Sequence, residues 1–183
     1  TDLAPRIGRQ VVILEGAVTR YLVSGANGFV GRALCRLLVE RGCRVRALLR
    51  HECSGPWDEQ VLCELGKDSV PDHACRGVEG IFHLAGIAHV QDQRGSDEAS
   101  YQRVNVGGTR SLLSAAEASG AARFVYFSSV KAASDPGREC VDETWDLLPK
   151  DAYGESKREA ETLGLDASRT GLHVTVLRPS LVY

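Results

Sequence analysis

Tyr153 and Lys157 stand four residues apart in Tyr153-Gly154-Glu155-Ser156-Lys157, so a helix carrying them presents a phenol and an ammonium on one face. A tyrosine ordinarily ionises near pH 10 and carries no proton at neutrality. A cation held about 4 Å away, at an effective dielectric of roughly 20, stabilises the phenolate by about 4 kcal/mol. At about 1.36 kcal/mol per pKa unit, that brings the phenol close to neutral pH, where it can exchange a proton with an alcohol oxygen. Alone the spacing is weak, because a surface tyrosine beside a solvated lysine shares it.

A second pattern gives it context. Arg20-Tyr21-Leu22-Val23-Ser24 reads as a short apolar strand, followed by Gly25-Ala26-Asn27-Gly28-Phe29-Val30-Gly31 and a helical stretch from Arg32 to Arg41 that ends at Gly42. Strand, glycine turn and helix in that order form a dinucleotide fingerprint. Gly25 permits the tight turn, Gly28 lets the backbone approach a pyrophosphate, and Gly31 lets helix and strand pack closely. Asn27, Phe29 and Val30 complete the turn, whose amides at the helix start face the phosphates. The spacing is G-x-x-G-x-x-G, not the commoner G-x-G-x-x-G.

The elements that would position these groups alternate between strand and helix. Further strands are expected at Arg44–Leu49, Gln60–Leu65, Gly80–Ala85, Arg123–Ser128 and His173–Leu177. A short helix is expected around Asp72–Arg76, a long one over Glu98–Ser119 closed by Gly120, and another over Ala152–Ser168. The fold class that follows is α/β: a doubly wound parallel sheet, the Rossmann fold, in three αβα layers. In such a sheet ligands lie at the carboxyl ends of the strands, where Gly86, Ser128, Ser129 and the start of the Tyr153 helix converge. The polar stretch Asp135–Pro149 leaves the same end.

At 183 residues, 43% hydrophobic and 25% charged, the chain suits one globular domain with a sizeable core. A net charge of −2 offers no basic footprint for nucleic acid, and no apolar run reaches the roughly 20 residues that span a bilayer. Residues 1–19 read as an extension of unclear role, too charged for a secretory signal. Cys35, Cys43, Cys53, Cys63, Cys75 and Cys140 show no C-x-x-C, and no histidine has metal-ligand spacing to a cysteine or another histidine. They read as reduced thiols of a cytoplasmic protein, with no metal site.

Taken in order, the glycine turn, His83-Leu84-Ala85-Gly86, Asn105-Val106-Gly107-Gly108-Thr109, Phe127-Ser128-Ser129, Tyr153 with Lys157, and Leu177-Arg178-Pro179 with Val182-Tyr183 resemble the extended short-chain dehydrogenase/reductase family. The likeness is to its NAD-dependent epimerase/dehydratase branch, which acts on nucleotide sugars, and it runs from about Arg20 to Tyr183. It implies Tyr153 as acid/base, Lys157 holding the nicotinamide ribose and lowering the phenol's pKa, and Ser129 as the third catalytic group. It implies that Leu84, Ala85 and Gly86 line the cofactor, that Asn105 holds the long helix and a water near Lys157, and that Pro179 lies beside the nicotinamide.

The activity implied is 4-epimerisation of a UDP-hexose through a 4-keto intermediate. A 4-ketosugar-nucleotide reductase of surface-polysaccharide synthesis is the alternative, since Ser-Ser-Val-Lys-Ala resembles both groups. A non-catalytic NADP-sensing or scaffold protein is a third reading, opposed by the intact Ser129, Tyr153 and Lys157. The resemblance also implies a homodimer through a four-helix bundle, which the Ala- and Leu-rich face around Leu112–Ala116 fits as well as it fits core packing.

The cofactor is NAD or NADP. The acid usual at the end of the second strand is replaced by Leu49-Arg50-His51, and Arg50 suits a 2′-phosphate. Glu64, in Cys63-Glu64-Leu65, is a weaker candidate near the adenine. Residues 20–183 read as an NAD(P)-binding domain truncated before a substrate domain, so the piece is expected to bind cofactor and turn over sugar nucleotide poorly.

Overall fold

The structure, a computed structural model, describes residues 18–88, 98–134, 136–137 and 139–180. The expectations for residues 1–17, Asp135, Arg138, Val182 and Tyr183 lie outside those residues. Six strands, β1 (Arg20–Ser24), β2 (Arg44–Leu49), β3 (Glu59–Leu62), β4 (Gly80–His83), β5 (Arg123–Phe127) and β6 (His173–Leu177), form one sheet. The order is β3-β2-β1-β4-β5-β6 and every pairing is parallel. The chain winds outward in opposite directions from β1 and β4, which opens a crevice at their carboxyl ends.

Alternate residues of the central strands feed two cores, as the two-residue period of a strand requires. Leu22, Leu48, Ile81 and Phe124 join Leu112 and Ala116 on one face, while Val23, Val45, Ala47 and Leu49 join Cys35 on the other. With both faces covered, the strands need no polar side, and their near-continuous apolar runs follow.

Helix α1 (Phe29–Glu40) turns Gly31, Leu34, Cys35 and Leu38 toward the sheet, a stripe at helical spacing. The long helix comes in three parts: α2 (Glu98–Tyr101), a π-helical stretch (Gln102–Gly107) and α3 (Gly108–Ser119). Gly120 ends it in the left-handed conformation at φ 72°, and Ala121 N–H reaches back to Ala116 C=O at 3.1 Å. Asp151 caps α4 (Ala152–Ala167) through a 2.7 Å bond from Gly154 N–H.

Three expectations change. Helix α1 starts three residues before Arg32, because Gly31 lies inside the helix and does not precede it. Strand β3 covers Glu59–Leu62 only, while Cys63 to Leu65 continue along the rim of the crevice. The expected helix around Asp72–Arg76 is a run of turns between Pro71 and Gly77 (φ 68°), too short to propagate. Leu112, Leu113 and Ala116 are at most 4% exposed, which is the core-packing reading of that face.

All six cysteines are free thiols. Among the described residues no three His, Cys, Asp or Glu side chains are grouped to hold a metal, and no helix is long and apolar enough to cross a membrane.

Candidate active site

Where the winding reverses, a cavity of about 270 Å³ opens, walled by Gly25, Asn27, Gly28, Arg50, Leu84, Ala85 and Gly86 among others. Three of these have no side chain, so backbone forms much of the wall. Gly25 has φ 68°, and a Cβ there would sit 2.7 Å from Ala85 N. A Cβ on Gly31 would overlap the Gly25 carbonyl oxygen, which is why α1 can begin directly against the turn.

Helix α1 has no side-chain cap and no acid in its first turn. Its leading amides and the positive end of its dipole are therefore available beside the cavity. A dinucleotide diphosphate fits that donor set. Phe29 and Val30 open the helix, but Phe29 is 74% exposed and neither side chain lies on the cavity wall. Arg50 stands exposed on the rim. A second guanidinium, which sequence reasoning missed, lies nearby. Arg32 donates to Asn27 C=O (3.3 Å) and Ser54 C=O (3.1 Å) and lies 5.6 Å from the Trp57 ring centre. Cys63, Glu64, Leu65, Ile87 and Val104 also line the cavity; of these the sequence singled out Glu64.

The lysine is 5% exposed and donates to Phe127 C=O at 2.6 Å, with its ammonium 4.4 Å from the Tyr126 ring centre. A Cβ on Gly86 would lie 3.9 Å from its Nζ, but Lys157, Tyr153 and Ser129 are not themselves on the cavity wall. Burial pushes the Lys157 pKa down to about 8, and the Glu161 carboxylate one turn on opposes that fall. The Ser129 hydroxyl is the one neighbour that acts to lower the pKa of the Tyr153 phenol. Ser129 also accepts from Lys131 N–H at 3.2 Å, so it combines the backbone role of a strand-end serine with an effect on the phenol.

The expected lowering of the phenol's pKa does not hold in this arrangement. Burial raises it, the Ser129 hydroxyl pulls the other way, and Tyr101 and Asp151 add to the rise. The ammonium meets the Phe127 carbonyl, and its charge is not among the groups acting on Tyr153.

Asn105 is 1% exposed in the π-helical stretch, which excludes a water-facing asparagine. Its Oδ1 accepts from Ile87 N–H (2.9 Å), and its Nδ2 donates to Ile87 C=O (3.1 Å) and Ser156 Oγ (3.0 Å). Ser156 in turn donates to Tyr153 C=O at 2.7 Å. Asn105 therefore fixes the chain leaving β4 to the first turn of α4. Pro179 accepts from Val130 N–H at 3.2 Å, next to Ser129, and lies off the cavity wall.

A larger cavity of about 790 Å³ lies between the loop after β5, α4 and β6. It shares no lining residue with the first and holds none of the glycines. On its wall Arg178 makes a two-pronged pair with Glu161 (2.9 and 2.6 Å) and lies 3.8 Å from Asp146, which also pairs with Arg158. These pairs tie the loop and the end of β6 to the helix bearing Tyr153. The dinucleotide fit belongs to the smaller cavity, where the glycines and the free helix start are.

The family model described as "NAD dependent epimerase/dehydratase family" matches residues 21–183. A putative dihydroflavonol 4-reductase from Synechocystis is 36% identical over 170 residues, covering 87% of this chain and 48% of the relative. A UDP-glucose 4-epimerase from Vibrio cholerae is 32% identical over 170 residues, covering 88% and 51%. Among solved structures, a short-chain dehydrogenase/reductase superfamily protein from Agrobacterium tumefaciens with bound NAD superposes with TM-score 0.76 at 32% identity, over 87% of this chain and 48% of that one. The chain thus spans about half the length of the curated relatives it matches.

Proposed function

The chain belongs to the NAD-dependent epimerase/dehydratase family, and on that premise we propose that residues 20–183 are the dinucleotide-binding domain of a cytoplasmic NAD(P)-dependent enzyme that 4-epimerises a UDP-hexose. What supports the reading is one approach: the Lys157 ammonium, from the helix that also carries Tyr153, comes within 3.9 Å of where a Cβ on Gly86, a residue of the cavity wall, would stand. Gly25, Gly28 and the free start of α1, which Gly31 lets approach the turn, would hold the diphosphate, and Leu84, Ala85 and Gly86 the nicotinamide end.

The cofactor when bound supplies reversible hydride acceptance and donation. Tyr153 takes the proton of the sugar hydroxyl and returns it, with Ser129 donating to the same oxygen. Lys157 would hold the ribose, and its ammonium, brought near the phenol, would stabilise the phenolate. Asn105 keeps the β4 exit and the Tyr153 turn in register.

A second reading has its own support. The Synechocystis relative, at 36% identity, is described as a reductase, which favours reduction of a keto substrate by the same residues. Arg50 and Arg32 at the cavity edge favour NADP(H) in that case. Assembly as a homodimer through α3 and α4 belongs to the same proposal. The contact would fall to outward residues such as Arg110, Ser114 and Glu117, and light scattering of the purified chain tests it.

The deciding experiment is to purify the protein, identify bound NAD(H) or NADP(H), and incubate it with UDP-glucose and UDP-N-acetylglucosamine. Equilibration of gluco and galacto forms without added cofactor supports the epimerase. Stoichiometric loss of NADPH with a keto sugar supports the reductase, and no dinucleotide binding refutes both.

A further inference from the structure

His83 ends β4 at the divide between the two halves of the sheet and is 1% exposed. Its ring meets Phe124 and Tyr126 at 5.8 and 5.5 Å between centres, and the charge nearest in effect is that of Lys157. Both nitrogens are bonded: Nδ1 to Ser24 Oγ at 2.7 Å and Nε2 to Thr109 Oγ1 at 2.8 Å.

The direction of each bond follows from counting protons. Thr109 gives its one hydroxyl proton to Asn105 C=O at 2.6 Å, so at His83 it must accept, and Nε2 carries the hydrogen. Nδ1 is then the acceptor of the Ser24 hydroxyl, whose oxygen also takes Ala85 N–H at 3.2 Å. A buried, polarised run therefore leads from Ala85 N–H through Ser24, His83 and Thr109 to the backbone of Asn105. From the Asn105 side chain it continues to Ile87, to Ser156 and to Tyr153 C=O. Burial first, and then Lys157, push the imidazole pKa down to about 3, so the neutral ring that this run requires is the stable form.

We propose that His83 is a positioning residue: by joining Ser24 to Thr109 it locks the 85–87 segment, against which the nicotinamide end would rest, to the Asn105–Ser156 contacts that hold Tyr153. The inference rests on the dinucleotide reading above for its catalytic meaning, but not for its geometry. An imidazole serves where another core residue would not, because it alone among uncharged rings accepts on one edge and donates on the other.

The test uses the 183-residue chain with Thr109→Val and Thr109→Ser. Nitrogen-15 spectra of the parent should show His83 in the Nε2–H form, unchanged between about pH 5 and pH 9. Thr109→Ser, which keeps the hydroxyl, should bind NADH within about twofold of the parent, and Thr109→Val should bind it on the order of tenfold more weakly. Amide exchange at Ala85 and Ile87 should quicken in Thr109→Val and not in Thr109→Ser. An Nδ1–H ring, a ring that titrates in that pH range, or a folded Thr109→Val with parental NADH affinity and exchange would overturn the proposal. If Thr109→Val does not fold, the ring's tautomer in the parent decides. A parent that binds neither NADH nor NADPH counts against the dinucleotide reading alone, because the tautomer and exchange readings do not need it.

Discussion

At the scale of single residues, one helix carries a buried cation, held by the Phe127 carbonyl, and a half-buried phenol that packs against the Tyr101 ring. Tyr153→Phe keeps the ring contact with Tyr101 (5.8 Å between centres) and loses the proton carrier. We expect turnover to fall on the order of 10²–10⁴-fold while NADH affinity stays within about threefold, read by steady-state kinetics beside a fluorescence titration. Lys157 has a folded pKa near 8, below its ordinary 10.5, so between those values the unfolded chain binds more protons. Its unfavourable contribution is therefore full below pH 8 and fades as pH rises toward 10.5. Lys157→Met should stabilise the fold at pH 7, on the order of 1–3 kcal/mol, with the gap to the parent closing toward pH 10 in urea titrations. The sequence made Tyr153, Lys157 and Ser129 legible because their types and spacing state a chemistry. It could not show that the lysine meets the Phe127 carbonyl, since a backbone partner leaves no mark on residue type. The role of His83 was hidden likewise: a histidine inside an apolar strand reads as part of that strand until its two partners are seen.

At the scale of elements, close backbone contact decides more than side-chain packing. Gly31→Ala would drive a methyl into the Gly25 carbonyl and push α1 off the turn. The expected cost is about 1–3 kcal/mol in stability, with loss of most NADH affinity, measured by urea titration and fluorescence. Arg178→Ala leaves Glu161, 2% exposed, as a buried carboxylate without its two-pronged partner. That should cost about 3–5 kcal/mol, while the Glu161→Gln, Arg178→Met pair should cost clearly less in the same titration. Strand positions were largely readable, because a strand covered on both faces is apolar along its whole length. Helix α1 began earlier than expected because glycines usually announce turns, and here the third one sits inside the helix. The π-helical stretch carries no periodicity of its own in six residues, so its inward Asn105 was legible only through the family likeness.

At the scale of the molecule, the doubly wound sheet predicts a gradient of local stability. Leu22, Val23 and Ile81 in the central pair of strands are at most 1% exposed, whereas Gln60 and Leu62 in β3 and His173 and Thr175 in β6 are exposed. Amide exchange should be slowest in β1 and β4 and faster at both outer strands; uniform exchange across the sheet would contradict the topology. The fold class followed from strand–helix alternation, but the reversal at β1 and β4 is a long-range pairing choice that no local window of sequence records.

The two borders of that sheet are unequal. Strand β3 has four residues and opens on the paired acid Glu59, preceded by the paired Asp58, whereas β6 has five, with Leu177 40% exposed at its tip. Of the two edges, β6 is the longer, and its tip offers an exposed apolar side chain to a further strand. At β3 the paired charges of Arg44, Asp58, Arg46 and Glu59 would have to be accommodated by any added strand.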